Sequence, residues 1–131
     1  MKEIYLYLLT VPVFFGIDMV WLGLVANKFY QKEIGQYLKP TPNWAAAIIF
    51  YLIYIVGILI FAVLPNIDKG PGRAALYGAL FGFFAYATYD LTNYATMKDW
   101  PLVVTVTDIV WGTILTGSVA LVSYFIAKWI F

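Results

Sequence analysis

The sequence predicts an all-α integral membrane protein, a four-helix bundle running up, down, up and down. Three observations carry this reading. Hydrophobic residues make up 63% of the chain and charged residues 11%, against about 25% charged in soluble domains. Mean hydropathy is +0.84. Four apolar stretches each approach the roughly 20 residues that a spanning helix needs. The length, 131 residues, fits a single four-helix domain covering residues 1–131.

The first stretch covers about residues 4–27. It is too long for the core of a signal peptide, it contains Asp18, and no small-x-small cleavage site ends it. The second, about residues 44–64, follows Lys39-Pro40-Thr41-Pro42-Asn43, a breaker of clear turn chemistry. The third, about residues 73–97, follows Pro65-Asn66-Ile67-Asp68-Lys69-Gly70-Pro71-Gly72. Only Lys98-Asp99-Trp100-Pro101 separates it from the fourth, about residues 101–129, which predicts a tight hairpin with Pro101 opening the last helix. Between Lys28 and Asn43, Phe29, Tyr30, Ile34, Tyr37 and Leu38 are mixed with Lys28, Lys32, Glu33 and Lys39. That mixture fits either a short amphipathic helix lying in the membrane interface or a polar loop with one helical turn.

Trp44 and Trp100 are expected to mark one membrane boundary and Trp129 the other. An even number of spans puts both termini on one face, with Lys2, Lys69, Arg73 and Lys128. The opposite face carries Lys28, Lys32, Lys39 and Lys98. With the basic residues balanced, the positive-inside rule favours neither orientation, and cytoplasmic termini are the working expectation.

Composition removes several function classes. A net charge of +1 offers no field for nucleic acid. With no cysteine and no histidine, disulfides, thiol chemistry, the usual zinc and haem sites and imidazole catalysis are excluded. No cofactor is called for. Proton chemistry is left to carboxylates, Tyr, Lys or water.

Against that background Asp18, Asp90 and Asp108 stand out, each inside an apolar stretch. A charge at a helix centre costs about 2.5–3.5 kcal/mol on insertion scales. Counting at 1.5 Å per residue places Asp18 about 13 Å, and Asp90 and Asp108 about 10 Å, from the face opposite the termini. The three acids are therefore expected in one layer. Each anchors a polar or small stripe: Gly82, Tyr86, Asp90, Asn93 and Met97, widened by Tyr89, Thr92 and Thr96; Thr105, Asp108, Gly112, Thr116 and Ser123, with Trp111 beside them; and Asp18 with Trp21, near Gly16 and Gly23. Helical spacing stacks such residues, and lipid excludes them, so the stripes should face the bundle interior. The second stretch has only Tyr51 and Tyr54 as polar side chains and is expected to pack outside the site, closing one wall.

Like charges in low dielectric cannot all ionise, so the group suits proton exchange against a cation. Asp, Asn93, Thr and Tyr oxygens favour a hard cation over a soft metal. Trp21, Trp111, Tyr86 and Tyr89 offer faces for an organic ammonium. Three readings remain open. The first is binding or transport of a small cation or cationic compound, coupled to protons. The second is a lipid- or prenyl-modifying enzyme using Asp as acid and base, for which no phosphate loop, Asp-rich repeat or nucleophile elbow is present. The third is a structural or accessory subunit whose acids only hold helices together. The similarity of Asp18-Met-Val-Trp21 to Asp108-Ile-Val-Trp111 pairs oppositely directed helices, and is read as two local ways of presenting an Asp with a Trp, not as a repeat.

At Tyr89-Asp90-Leu91-Thr92-Asn93, Trp100-Pro101, Thr107-Asp108-x-x-Trp111-Gly112 and Asp18-x-x-Trp21-x-Gly23, the chain resembles a domain-of-unknown-function family of small bacterial four-span predicted membrane proteins. The resemblance covers nearly the whole chain. It implies a multi-pass bacterial inner-membrane protein and supplies no catalytic residue. The small multidrug exporters are an analogy of class, not of sequence: four-helix chains of similar size with an acid in the first span. That analogy adds a homodimer to the expected partners, beside the lipid bilayer and a small cationic or lipid ligand.

Overall fold

The computed structural model describes residues 1–131, and it is helical with no strand. Four helical stretches follow one another: α1 (Lys2–Tyr37) and α2 (Trp44–Asn66), α3 (Pro71–Thr96) and α4 (Leu102–Ile130). Local chemistry sets the breaks. The Asn43 side chain accepts the Ala46 N–H at 3.1 Å and caps α2, satisfying one of the free amides of its first turn. Gly70 has φ 104°, a conformation open to a residue without Cβ, and it delivers the chain to Pro71 at the start of α3. The α3–α4 hairpin turns on Asp99 at φ 60°, which Asp tolerates better than most residues.

α1 departs from expectation because no break follows Asn27. The helix is α-helical over Lys2–Val20, π-helical over Trp21–Ala26, α-helical again over Asn27–Ile34, and ends in a 3-10 turn at Gly35–Tyr37. The anticipated interfacial helix is thus the end of α1. Tertiary packing holds it: Ile34 is buried with Trp100 and Val104, and Phe29 and Tyr30 pack on them. Lys28, Gln31 and Lys32 point outward.

The path of α1 bends at the π-helical segment. Thr10 and Ser123 share a hydrogen bond at 2.8 Å, and Asp18 meets Trp111, so this stretch tracks α4 over about three turns. From Trp21, stacked on Trp111, to Tyr30, bonded to Asp108, a similar length of α1 advances less than one turn of α4. A π-bulge is a known source of such kinks.

The tightest packing is between α3 and α4. Gly78 faces Ala120, Gly82 faces Gly112 and Thr116, and Gly112 lies under the Tyr86 ring. Small residues let membrane helices approach this closely. The register is antiparallel, and one turn beyond the Tyr86–Gly112 pair it sets Asp90 opposite Asp108. Below this layer Leu6, Phe14, Ile55, Ile58, Leu115 and Val119 form the core.

Apolar side chains also cover the outside. Ile48, Ile49 and Ile53 on α2, Leu80 and Phe84 on α3, and Val106, Val110 and Ile114 on α4 are exposed. α1, α2 and α4 are long and apolar enough to cross a membrane. α3 is long enough, at 26 residues, but its Gly, Tyr, Thr, Asp and Asn content makes it less apolar. Trp44 and Trp129 are exposed, as a boundary belt requires, whereas Trp100 is buried against Tyr37 and Tyr89. Trp100 therefore serves as packing, not as a lipid-facing anchor.

Candidate functional site

The α3–α4 register makes the Asp90 and Asp108 carboxyls neighbours. Asp90 is fully buried, and no N–H or hydroxyl donor reaches either of its carboxyl oxygens; its polar neighbour, within hydrogen-bonding reach, is the Asp108 carboxyl. Asp108 is half-buried and accepts the Tyr30 hydroxyl from the far end of α1. No cation stands beside either: the one ion pair in the structure joins the terminal amine to Glu3 at 3.5 Å, on the surface.

Asp18 has a different environment. It is buried and accepts the Trp111 indole N–H at 3.3 Å, with Tyr51 of α2 alongside. Trp21 stacks on Trp111 with ring centroids 4.5 Å apart and planes 10° apart. The Trp21 Nε1 is buried without a partner. Asp18 thus meets α4 one turn from Asp108, close to it in depth but held by its own donor. No three acidic side chains converge closely enough to hold a metal ion; Asp90 and Asp108 pair, and Asp18 bonds Trp111 beside them.

Beside Asp108 lies a cavity of about 520 Å³ between α2 and α3, lined by Phe50, Tyr51, Tyr54, Tyr86, Tyr89 and Asp108. Tyr54 is tied to Thr116 at 2.8 Å and stacks on Phe81, centroids 5.3 Å apart. The Tyr86 ring is held over Gly112. Tyr89 is exposed at the cavity edge, with Asn93 one turn along α3 beside it. A wall of aromatic rings thus ends at one carboxyl, with a second carboxyl behind it.

A family match agrees with the membrane character of these helices. The family described as Predicted membrane protein (DUF2177) matches residues 3–125. The chain belongs to that family. No curated protein and no solved structure matches it.

Several expected site features fall elsewhere. Gly16 and Gly23 have open space around them and face outward, as do Thr92 and Thr96; Thr96 bonds its own helix at the Thr92 carbonyl, 2.8 Å. A hydroxyl that can satisfy itself on the preceding turn need not face the interior. Ser123 bonds Thr10, far from the acids. Conversely, α2 does not stand outside the site, because Tyr51 and Tyr54 line the cavity. Their phenol groups on an otherwise apolar helix were the available signal. Tyr30 lies beyond the Asn27 boundary that apolarity suggests, and the continuation of α1 brings it to Asp108.

Proposed function

We propose that this protein is a four-span membrane protein that binds a small organic cation in the cavity beside Asp108, exchanging it for a proton held by the Asp90–Asp108 pair. α3 supplies the fourth span, since Leu76, Leu80, Phe84 and Leu91 give it an apolar outward face. The setting is a bacterial inner membrane with cytoplasmic termini.

The observation that carries the reading is the fully buried Asp90 carboxyl, which meets the Asp108 carboxyl and no N–H or hydroxyl donor. An acid that serves as packing glue is hydrogen-bonded, as Asp18 is to Trp111. Asp90 has no such donor and faces a second carboxyl instead, and two carboxyls without a cation cannot both hold charge in low dielectric. A proton or a bound cation relieves that repulsion, and the two then exclude one another. The ring faces of Tyr86 and Tyr89 supply the quadrupoles that attract an ammonium group, and the volume lies in the range of small-molecule sites. The enzyme reading would use the same two carboxyls as acid and base, but no Ser, Thr or Lys lines the cavity to add a further catalytic group.

The test uses the full chain in nanodiscs with tetramethylammonium as probe. Binding is followed by intrinsic fluorescence and proton release by a pH dye in weak buffer. Wild type is expected to bind and release protons. Asp90→Asn and Asp108→Asn are expected to fold and to lose the proton release, while Asp18→Asn retains it. Wild-type behaviour of all three variants would overturn the assignment.

A further inference from the structure

We infer that the ligand is an amphipathic ammonium compound, a cationic head bearing an apolar tail, and that it enters sideways from the bilayer through a cleft between α2 and α3. This rests on the cation reading above and specifies its substrate class and route. Contact between these helices lies mainly toward the far end of α2, where Leu59–Val63 packs on α3 and Gly57 abuts Phe81. Toward Trp44 the pair opens. Of the residues from Trp44 to Phe50 none is buried and all but Ala47 are exposed.

The cavity occupies the apex of that opening. Phe50 on α2 and Tyr89 on α3 both line it, yet are 54% and 59% exposed. They form the two lips of a mouth on the side of the bundle, the side that faces hydrocarbon if the outer apolar side chains do. From the lips inward come Tyr51, Tyr54 and Tyr86, and then Asp108. A ligand reaching the acids by this route passes through lipid, so it needs apolar surface. To be held at the end it needs positive charge, because Asp108 has the buried Asp90 carboxyl behind it, which no N–H or hydroxyl donor reaches. Anionic lipid headgroups fail the second requirement, and small hydrated cations fail the first. A tailed ammonium meets both, with its head against Asp108 and its tail between Phe50 and Tyr89.

The experiment again uses the full chain in nanodiscs, comparing octyltrimethylammonium, tetramethylammonium and octanesulfonate, with partitioning into empty nanodiscs subtracted. The chain has no cysteine, so Phe50→Cys gives a single attachment point for a bulky maleimide at the mouth. Tyr89→Cys does the same on the opposite lip, should the first variant fail to fold. Leu24→Cys, at a site 81% exposed on α1, is the control. Octyltrimethylammonium is expected to bind more than about tenfold tighter than tetramethylammonium, the equivalent of a few buried methylenes. Octanesulfonate is expected not to bind. A label at the mouth should weaken octyltrimethylammonium binding at least about tenfold, while the label on Leu24→Cys leaves it unchanged.

If the two ammonium probes bind alike and the label has no effect, the lateral route and the tailed ligand are wrong, while the cation reading stands. If neither probe binds, the cation reading fails and takes this inference with it. Equal binding of octanesulfonate would remove the charge argument. If oxidised Phe50→Cys protein joins two copies, and the label at that position separates an otherwise dimeric protein, the cleft is a surface between copies and the inference falls.

Discussion

Gly82→Ala tests the contact that brings Asp90 to Asp108. A Cβ at position 82 would stand 2.6 Å from Thr116 Oγ1 and 2.7 Å from Thr116 Cβ, with the Gly112 carbonyl oxygen also in the way. An ordinary Cβ contact lies at 3.4–4 Å, so α3 and α4 must separate by about 1 Å, and a backbone carbonyl has no rotamer with which to yield. Overpacking of this kind costs about 1–3 kcal/mol. Ala itself favours a helix over Gly by up to about 1 kcal/mol, which partly masks the effect in a single variant. Gly16→Ala supplies the reference, because nothing lies within 4 Å of a Cβ there and the intrinsic gain appears alone. Reversible unfolding in mixed micelles, followed by circular dichroism, should place Gly82→Ala below Gly16→Ala by about 1–3 kcal/mol. Equal stability of the two variants, or a more stable Gly82→Ala, would refute the close α3–α4 packing and with it the register that pairs the acids.

Two further outcomes probe α1. Tyr30→Phe removes the donor to Asp108 and is expected to cost about 1–3 kcal/mol. It should also loosen the end of α1, so tryptic cleavage at Lys28 and Lys32 accelerates, whereas Tyr37→Phe leaves the cleavage rate unchanged. A double-mutant cycle of Thr10→Val and Ser123→Ala should give a coupling of about 0.6 kcal/mol, the mean for polar pairs between membrane helices; a coupling of zero would mean that α1 and α4 do not meet there.

Some of this was fixed by the order of residues alone. Apolar stretches of spanning length need every backbone group satisfied internally, which leaves helix as the form available in lipid. Asn43, Gly70-Pro71 and Pro101 start the helices that follow them by local backbone chemistry, which is legible in sequence because it involves only near neighbours. The pairing of Asp90 with Asp108 was half legible in the same way. A short hairpin, residues 97–101, holds two antiparallel helices in nearly fixed register, so acids at similar distances from the turn come to the same level. Asp18 lies on a helix joined by no short loop to either, and its partner Trp111 was not legible, because counting gives height and not azimuth.

Tertiary structure decided the rest. Whether Lys28–Tyr37 formed a separate helix or continued α1 depended on Ile34 and Tyr30 finding Trp100, Val104 and Asp108, contacts more than sixty residues away in the chain. Whether Tyr51 and Tyr54 faced lipid or a cavity depended on the rotation and tilt of α2. A helix apolar on all sides carries no stripe that fixes its rotation. Nor could the sequence separate an acid that faces a donor from one that faces another acid. The difference between Asp18 and Asp90 lies in whether α4 presents an indole N–H or a second carboxyl. That is a property of packed helices, and it is the property on which the functional assignment of this chain turns.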